Sequence, residues 1–317
     1  MTPTTPSTAF DALNTKIVAG AIIERLHGNR VIRSLTKNDT DFIDQAAFTY
    51  AQGDTITLTK EAVFTAETQD LGDDYTFATP TIAKVDVKLA YLTHTGSSVF
   101  DFDRTILNDA QLANYSMGQA NSLTRALETQ ALKLIANSVE IGADAELGTP
   151  GTALNFNTLT AIQERMTVNG VSSGTPLTLI VTPAGYRDLI KDADVKAATN
   201  RGDEITSSGM ILPTLGMEIV PSIYLPLNVA DDSVSGTTGS VMIAMSSDSA
   251  LIATRALADD AVGVDQFTAI DESTGWALRY TRGYDMIKKR TLVSWDILWG
   301  TEVYQPNAVT LVRGGIA

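Results

Sequence analysis

Residues 101–140 read DFDRTILNDAQLANYSMGQANSLTRALETQALKLIANSVE. Within them Ile106, Ala113, Ala120, Leu127 and Leu134 recur every seven residues, interleaved with Ala110, Met117, Thr124 and Ala131. This spacing lays apolar side chains along one stripe of an α-helix. Asp103 is a suitable N-cap and Gly142 a suitable stop. A helix of about 35 residues would extend about 50 Å at ~1.5 Å per residue, roughly three times the usual globular length. The stripe is rich in small residues, which suits close packing on a sheet or another helix. A coiled coil is the alternative, but Ala, Thr and Met at the seam make a weak zipper.

The period is different upstream. Gly53-Asp54 opens Thr55-Ile56-Thr57-Leu58-Thr59, a strict alternation that predicts a strand, and Val85-Asp86-Val87-Lys88-Leu89-Ala90-Tyr91 answers it across a polar stretch. The two read as arms of a long hairpin. A two-stranded hairpin is marginal by itself in water, so it needs a surface to lie on, and a neighbouring molecule can provide one.

Working outward, residues 1–8 form a Thr/Pro/Ser-rich arm. Leu13, Ile17, Ala21 and Leu26 then mark a helix over 10–27, stopped by Gly28-Asn29, with a short helix or turn over 40–47. After a Gly/Thr/Pro/Asn linker at 143–157, the pattern becomes α/β-like. A helix covers 157–169 and ends at Gly170; the apolar strand Leu177–Thr182 follows; Pro183 opens a helix to Lys191. Further strands are expected at Met217–Val220, Val241–Met245 and Trp276–Tyr280, then a long one over Asp285–Trp299 and a last one at Val309–Val312.

Composition limits what the chain can do. Its 317 residues carry 23 Lys and Arg against 37 Asp and Glu, a net charge of −14, which disfavours a dedicated nucleic-acid reader. Apolar residues reach 44%, enough for a substantial core, while charged residues are only 19%, as expected of a surface partly buried against other chains. With no cysteine there is no disulfide, thiol or thiolate-metal chemistry. The first residues lack a signal-peptide pattern and no run is long enough to span a membrane, so a soluble protein made in a cytosol-like compartment is expected.

Catalytic signals are sparse. His27 and His94 are the only imidazoles; the first suits a helix end and the second a strand end. Asp101/Asp103 and Asp192/Asp194 could each share a divalent ion, but neither continues into a calcium-loop pattern, and helix capping or a solvated helix end explains them. No phosphate-binding glycine loop is present, and Arg201-Gly202-Asp203 is short enough to occur by chance. Arg279, Arg282, Lys288, Lys289 and Arg290 form one basic cluster, expected to pair with acidic groups of this chain or a neighbour. No catalytic residue, cofactor or metal is assigned.

The order arm, hairpin, long helix, α/β region and returning C-terminal strand resembles the major capsid protein of tailed bacteriophages, with the α+β Hong Kong 97-like fold. Gly53–Leu58 with Val85–Tyr91 is similar to that family's E-loop, and Asp101–Glu140 to its spine helix. Leu179–Pro183, Ser208–Ser222 and Tyr224-Leu-Pro226 resemble the axial domain, and Val293–Leu311 the closing peripheral strands. The resemblance implies an N-terminal arm and first helix at 1–50 and an E-loop at 51–95. It implies a peripheral domain at 96–148 and 275–317, and an axial domain at 149–274. It also implies inter-subunit contacts through Gly53, Ile56, Leu58, Lys60, Val85, Val87, Lys88, Leu89 and Tyr91. Identical subunits would assemble as hexamers and pentamers into an icosahedral virion shell, made in the bacterial host cytoplasm. The expected partners are a separate scaffolding protein, a portal, decoration proteins and packaged double-stranded DNA held by weak contact, with no membrane. The alternatives are an encapsulin-type nanocompartment shell, which shares the fold, and more remotely a metal-dependent enzyme using Asp101 and Asp103.

Overall fold

The computed structural model describes residues 55–59, 84–100, 109–139, 146–148, 152–171, 175–198, 211, 213–225, 241–246, 249–255, 257, 264–270 and 277–314. The expected arm, the helices over 10–27 and 40–47 and the N-cap Asp103 lie outside them.

The long helix is present as α1, Asp109–Ser138, 30 residues or about 45 Å at ~1.5 Å per residue. Its buried face differs from the seven-residue line. Leu123, Leu127, Ala131, Leu132, Ile135 and Ala136 are buried, whereas Leu134 is only half-buried. A straight helix of 3.6 residues per turn drifts ~20° per heptad, so a strict seven-residue line rotates off a flat support. The support here is a sheet, because α1 lies across two of its strands.

That sheet contains β3 (Tyr91–Phe100), β8 (Ala250–Arg255), β9 (Asp265–Ile270), β10 (Ala277–Asp285) and β11 (Arg290–Val303), in the order β3-β11-β10-β9, with β8 also on β11. Its centre is β11. Trp295, Ile297 and Trp299 point toward α1, and Leu298 points to the opposite face. Trp299 donates its Nε1–H to Thr93 Oγ1 at 2.8 Å and packs its ring on Tyr91, with centroids 5.3 Å apart. Gln119 of α1 donates to Ser97 Oγ at 2.7 Å, holding the helix to β3.

A second sheet runs β4 (Glu146–Leu147), β12 (Val309–Arg313), β7 (Val241–Ser246), β5 (Leu177–Val181), β6 (Met217–Pro221). β5 and β7 are buried along their whole length, as strands covered on both faces are, and read as unbroken apolar runs. Around this sheet are α2 (Phe156–Val168), α3 (Pro183–Lys191) and α4 (Ala193–Ala198). Asn155 caps α2 through Thr158 N–H, and Gly170, at φ 85°, follows its end. Thr182 caps α3 with Pro183 in its first turn. One apolar cluster joins α1 and both sheets.

Sheet membership does not follow the sequence segments. β8 and β9 lie within 149–274, yet they join the sheet of β10 and β11; β12 lies within 275–317, yet it pairs with β7. The expected strand over Asp285–Trp299 is two elements: Asp285 closes β10, residues 286–289 turn, and β11 begins at Arg290. His94 sits inside β3, exposed, and not at a strand end.

The hairpin arms are β1 (Thr55–Thr59) and β2 (Lys84–Lys88), antiparallel from Thr55 opposite Lys88 to Thr59 opposite Lys84. They form a two-stranded sheet apart from the other two. At Ala90, whose N–H donates to Lys88 O at 2.9 Å, the chain turns tightly into β3.

Candidate assembly surface

The hairpin root is fixed by apolar burial inside the chain itself. Val87 and Leu89 are 0% and 1% exposed and pack with Ala253 and Leu298, on the face of β11 opposite α1. Gly300 makes this approach possible, because a Cβ there would strike the Lys88 carbonyl and lie 3.3 Å from Leu89 Cα. β11 is therefore covered by α1 on one face and by the hairpin root on the other.

Part of the expected contact set packs within the chain. Val87 and Leu89 face their own body, and Tyr91 belongs to β3, half-buried on Trp299. Val85 is half-buried and Lys88 exposed. Ile56 and Leu58 stand opposite Val87 and Val85 in register. Gly53 and Lys60 lie outside the described residues.

A surface that the sequence reading missed lies at the turn between β10 and β11. Met286 and Ile287 are 75% and 93% exposed, flanked by exposed Lys288 and Lys289. Asp285 builds the turn: its Oδ1 accepts from the backbone N–H groups of Ile287 and Lys288, each at 3.1 Å, and its Oδ2 accepts from Arg290 Nε at 3.2 Å. The Lys288 N–H, and then the Arg290 and Ile287 donors, hold the Asp285 carboxyl below its ordinary range. The legible signal was an Asp two residues ahead of its backbone partner, an Asx turn inside an apparent strand.

The basic cluster pairs partly within the chain: Arg279 with Asp296 at 3.2 Å and Arg290 with Asp285. Asp192 is structural, accepting from the N–H groups of Phe156 at 2.8 Å and Asp194 at 2.9 Å. Among the described residues no group of three or more His, Asp or Glu could hold a metal ion. Asp101, Asp103, His27 and residues 201–203 lie outside them. No helix among them is long and apolar enough to cross a membrane.

Solved structures share this architecture, among them the following three. A structure from Mycobacterium phage Che8 is 14% identical with TM-score 0.57, covering 87% of this chain and 90% of that one. The capsid of cyanophage P-SCSP1u is 14% identical with TM-score 0.59, covering 85% and 86%. A virus-like particle from Pyrococcus furiosus is 11% identical with TM-score 0.51, covering 94% and 98%. Among curated proteins no sequence matches. A family model described as phage capsid protein matches residues 88–294, from the hairpin root into the first residues of β11. By that match, the chain belongs to the phage capsid protein family.

Proposed function

We propose that this phage capsid protein is the major subunit of an icosahedral shell around the double-stranded DNA of a tailed bacteriophage. One observation carries the reading: β1 and β2 make a sheet of their own, and among the described residues Val87 and Leu89 pack its root on the body. A ribbon of two strands is marginal without further cover, and identical neighbours supply it. Exposed Met286 and Ile287 add a second apolar surface that assembly would cover.

In this reading the sheet of β3 and β8–β11 with α1 is the peripheral domain, and the sheet of β4–β7 and β12 with α2–α4 is the axial domain. Subunits made in the host cytoplasm assemble as hexamers and pentamers with a separate scaffolding protein, a portal and decoration proteins. A net charge of −14 suits a container that DNA moves into without tight binding.

Electron microscopy of the expressed protein, alone and with its scaffold, tests the proposal. Closed shells, tubes or ring-shaped capsomers are expected. A species that stays monomeric at every concentration would overturn it.

A further inference from the structure

We infer that the solvent face of α1 is where the subunit touches the phosphate backbone of duplex DNA. The inference rests on the shell reading, in which DNA fills the container, and names the surface that the duplex meets. Ser122, Arg125, Thr129, Lys133 and Asn137 are all exposed, and their spacing of three and four residues sets them in one row along the helix. The row extends about 22 Å at ~1.5 Å per residue. Between residues 118 and 138 the one acid is Glu128, which is 4% exposed and turned inward to Ser222.

Such a row stands apart from the rest of the surface. The described residues hold 15 Lys and Arg against 13 Asp and Glu, so the net charge of −14 comes from the remaining segments. Elsewhere on the body, exposed cations sit among acids: Lys84 and Lys88 flank Asp86, and Lys191 precedes Asp192 and Asp194. Arg125 and Lys133 have no acidic partner among the described residues. The Tyr224 ring, 5.4 Å from the Arg125 guanidinium, positions that cation without cancelling its charge.

The chemistry of the face selects the occupant. A protein partner binds chiefly through large apolar or aromatic anchors, and from residue 118 to 138 the largest exposed apolar side chain is Ala126. Met286 and Ile287 show what a protein-binding surface looks like in this chain. Arg125 and Lys133, set between the Ser122 hydroxyl and the Asn137 amide, are instead the groups that contact phosphate oxygens. The two cations stand about 12 Å apart along the helix, beside a duplex with one negative charge per about 1.7 Å of axis. α1 covers one side of β11 and the hairpin root the other. A layer of subunits can therefore hold DNA on its α1 side while the hairpins lie on the opposite side. Two phosphate contacts are weak in one subunit, and the many copies lining a shell add them.

The absence of cysteine makes the test direct, because a dye can be attached at one chosen position. Thr129→Cys places it on the row. Ser98→Cys places it on the far side of the sheet, since Ser97 faces α1 through Gln119 and its neighbour points away. Labelled, unassembled subunits are titrated with a short DNA duplex at low and high salt. The dye at 129 is expected to respond and the dye at 98 to stay flat. Two phosphate contacts give a slope of log K against log salt of about −1.8, and Lys133→Gln is expected to bring it to about −0.9 with the melting temperature unchanged. No response at 129 in low salt, or equal responses at both positions, would overturn the inference. An equal response to polyglutamate would also overturn it, since the row would then be a seat for an acidic protein. Microscopy of the same protein separates the two readings: shells whose subunits ignore DNA at 129 keep the shell reading and sink this one. A responding row in a protein that never forms shells does the reverse.

Discussion

The Ser222 hydroxyl donates to Glu128 Oε1 at 2.6 Å, with both residues about 95% buried, and so ties the middle of α1 to the end of β6. The same hydroxyl accepts from Tyr224 N–H at 3.1 Å, and the Arg125 guanidinium lies 5.4 Å from the Tyr224 ring centroid. Both partners of this joint between helix and second sheet are buried, where an unmade hydrogen bond is costly. Ser222→Ala is expected to destabilise the chain by about 1–3 kcal/mol. Chemical denaturation measures it, and a change within error would show that the joint carries no energy.

At the hairpin root, Gly300→Ala forces a methyl group against the Lys88 carbonyl. Backbone must shift to admit it, so the cost is expected at about 1–3 kcal/mol, as for overpacked cores. Protease cleavage near residues 84–92 should rise in the variant. Unchanged cleavage and stability would mean that the hairpin root does not rest on β11 as described.

On α1 the two readings of the helix face separate cleanly. Leu127→Ala empties a fully buried site and should cost about 2–5 kcal/mol. Leu134→Ala, at a half-buried position, should cost clearly less. Equal losses would favour a seam running along the seven-residue line.

The turn at Asp285 should respond to acid. Its carboxyl is depressed chiefly by the Lys288 N–H, with Arg290 and Ile287 adding to this. A depressed folded pKa stabilises the turn above the unfolded value, and that contribution fades as pH falls below about 4. Amide exchange at Ile287 and Lys288 is expected to accelerate in that range. Asp285→Asn should remove the pH dependence; if exchange in the unsubstituted protein is flat down to pH 2, the turn does not depend on the carboxylate.

Much of the fold was legible because it is written locally. Thr55–Thr59 and Met217–Val220 alternate or run apolar over strand lengths, and Pro183 and Gly170 punctuate helices through backbone geometry alone. β8 and β9 were missed because neither Ala250–Arg255 nor Asp265–Ile270 shows a clear period; their pairing with β11 and β10 stabilises them. The turn at 286–289 was hidden because Met286 and Ile287 look like strand residues. Among the expected contact residues, pattern could not tell a hydrophobe awaiting a neighbour from one already buried, as Val87 and Leu89 are.

By itself the sequence determined the long helix, the hairpin arms, the α/β region and their order, together with an acidic, cysteine-free chain poor in catalytic groups. These follow from periodicity and composition, which act over a few residues. The tertiary structure alone decided that β11 is the buried centre, that β12 crosses to the second sheet, and that the hairpin root rests on its own body. Those outcomes depend on pairings between residues far apart in the chain, whose free energy comes from burial and hydrogen bonding that no local window contains.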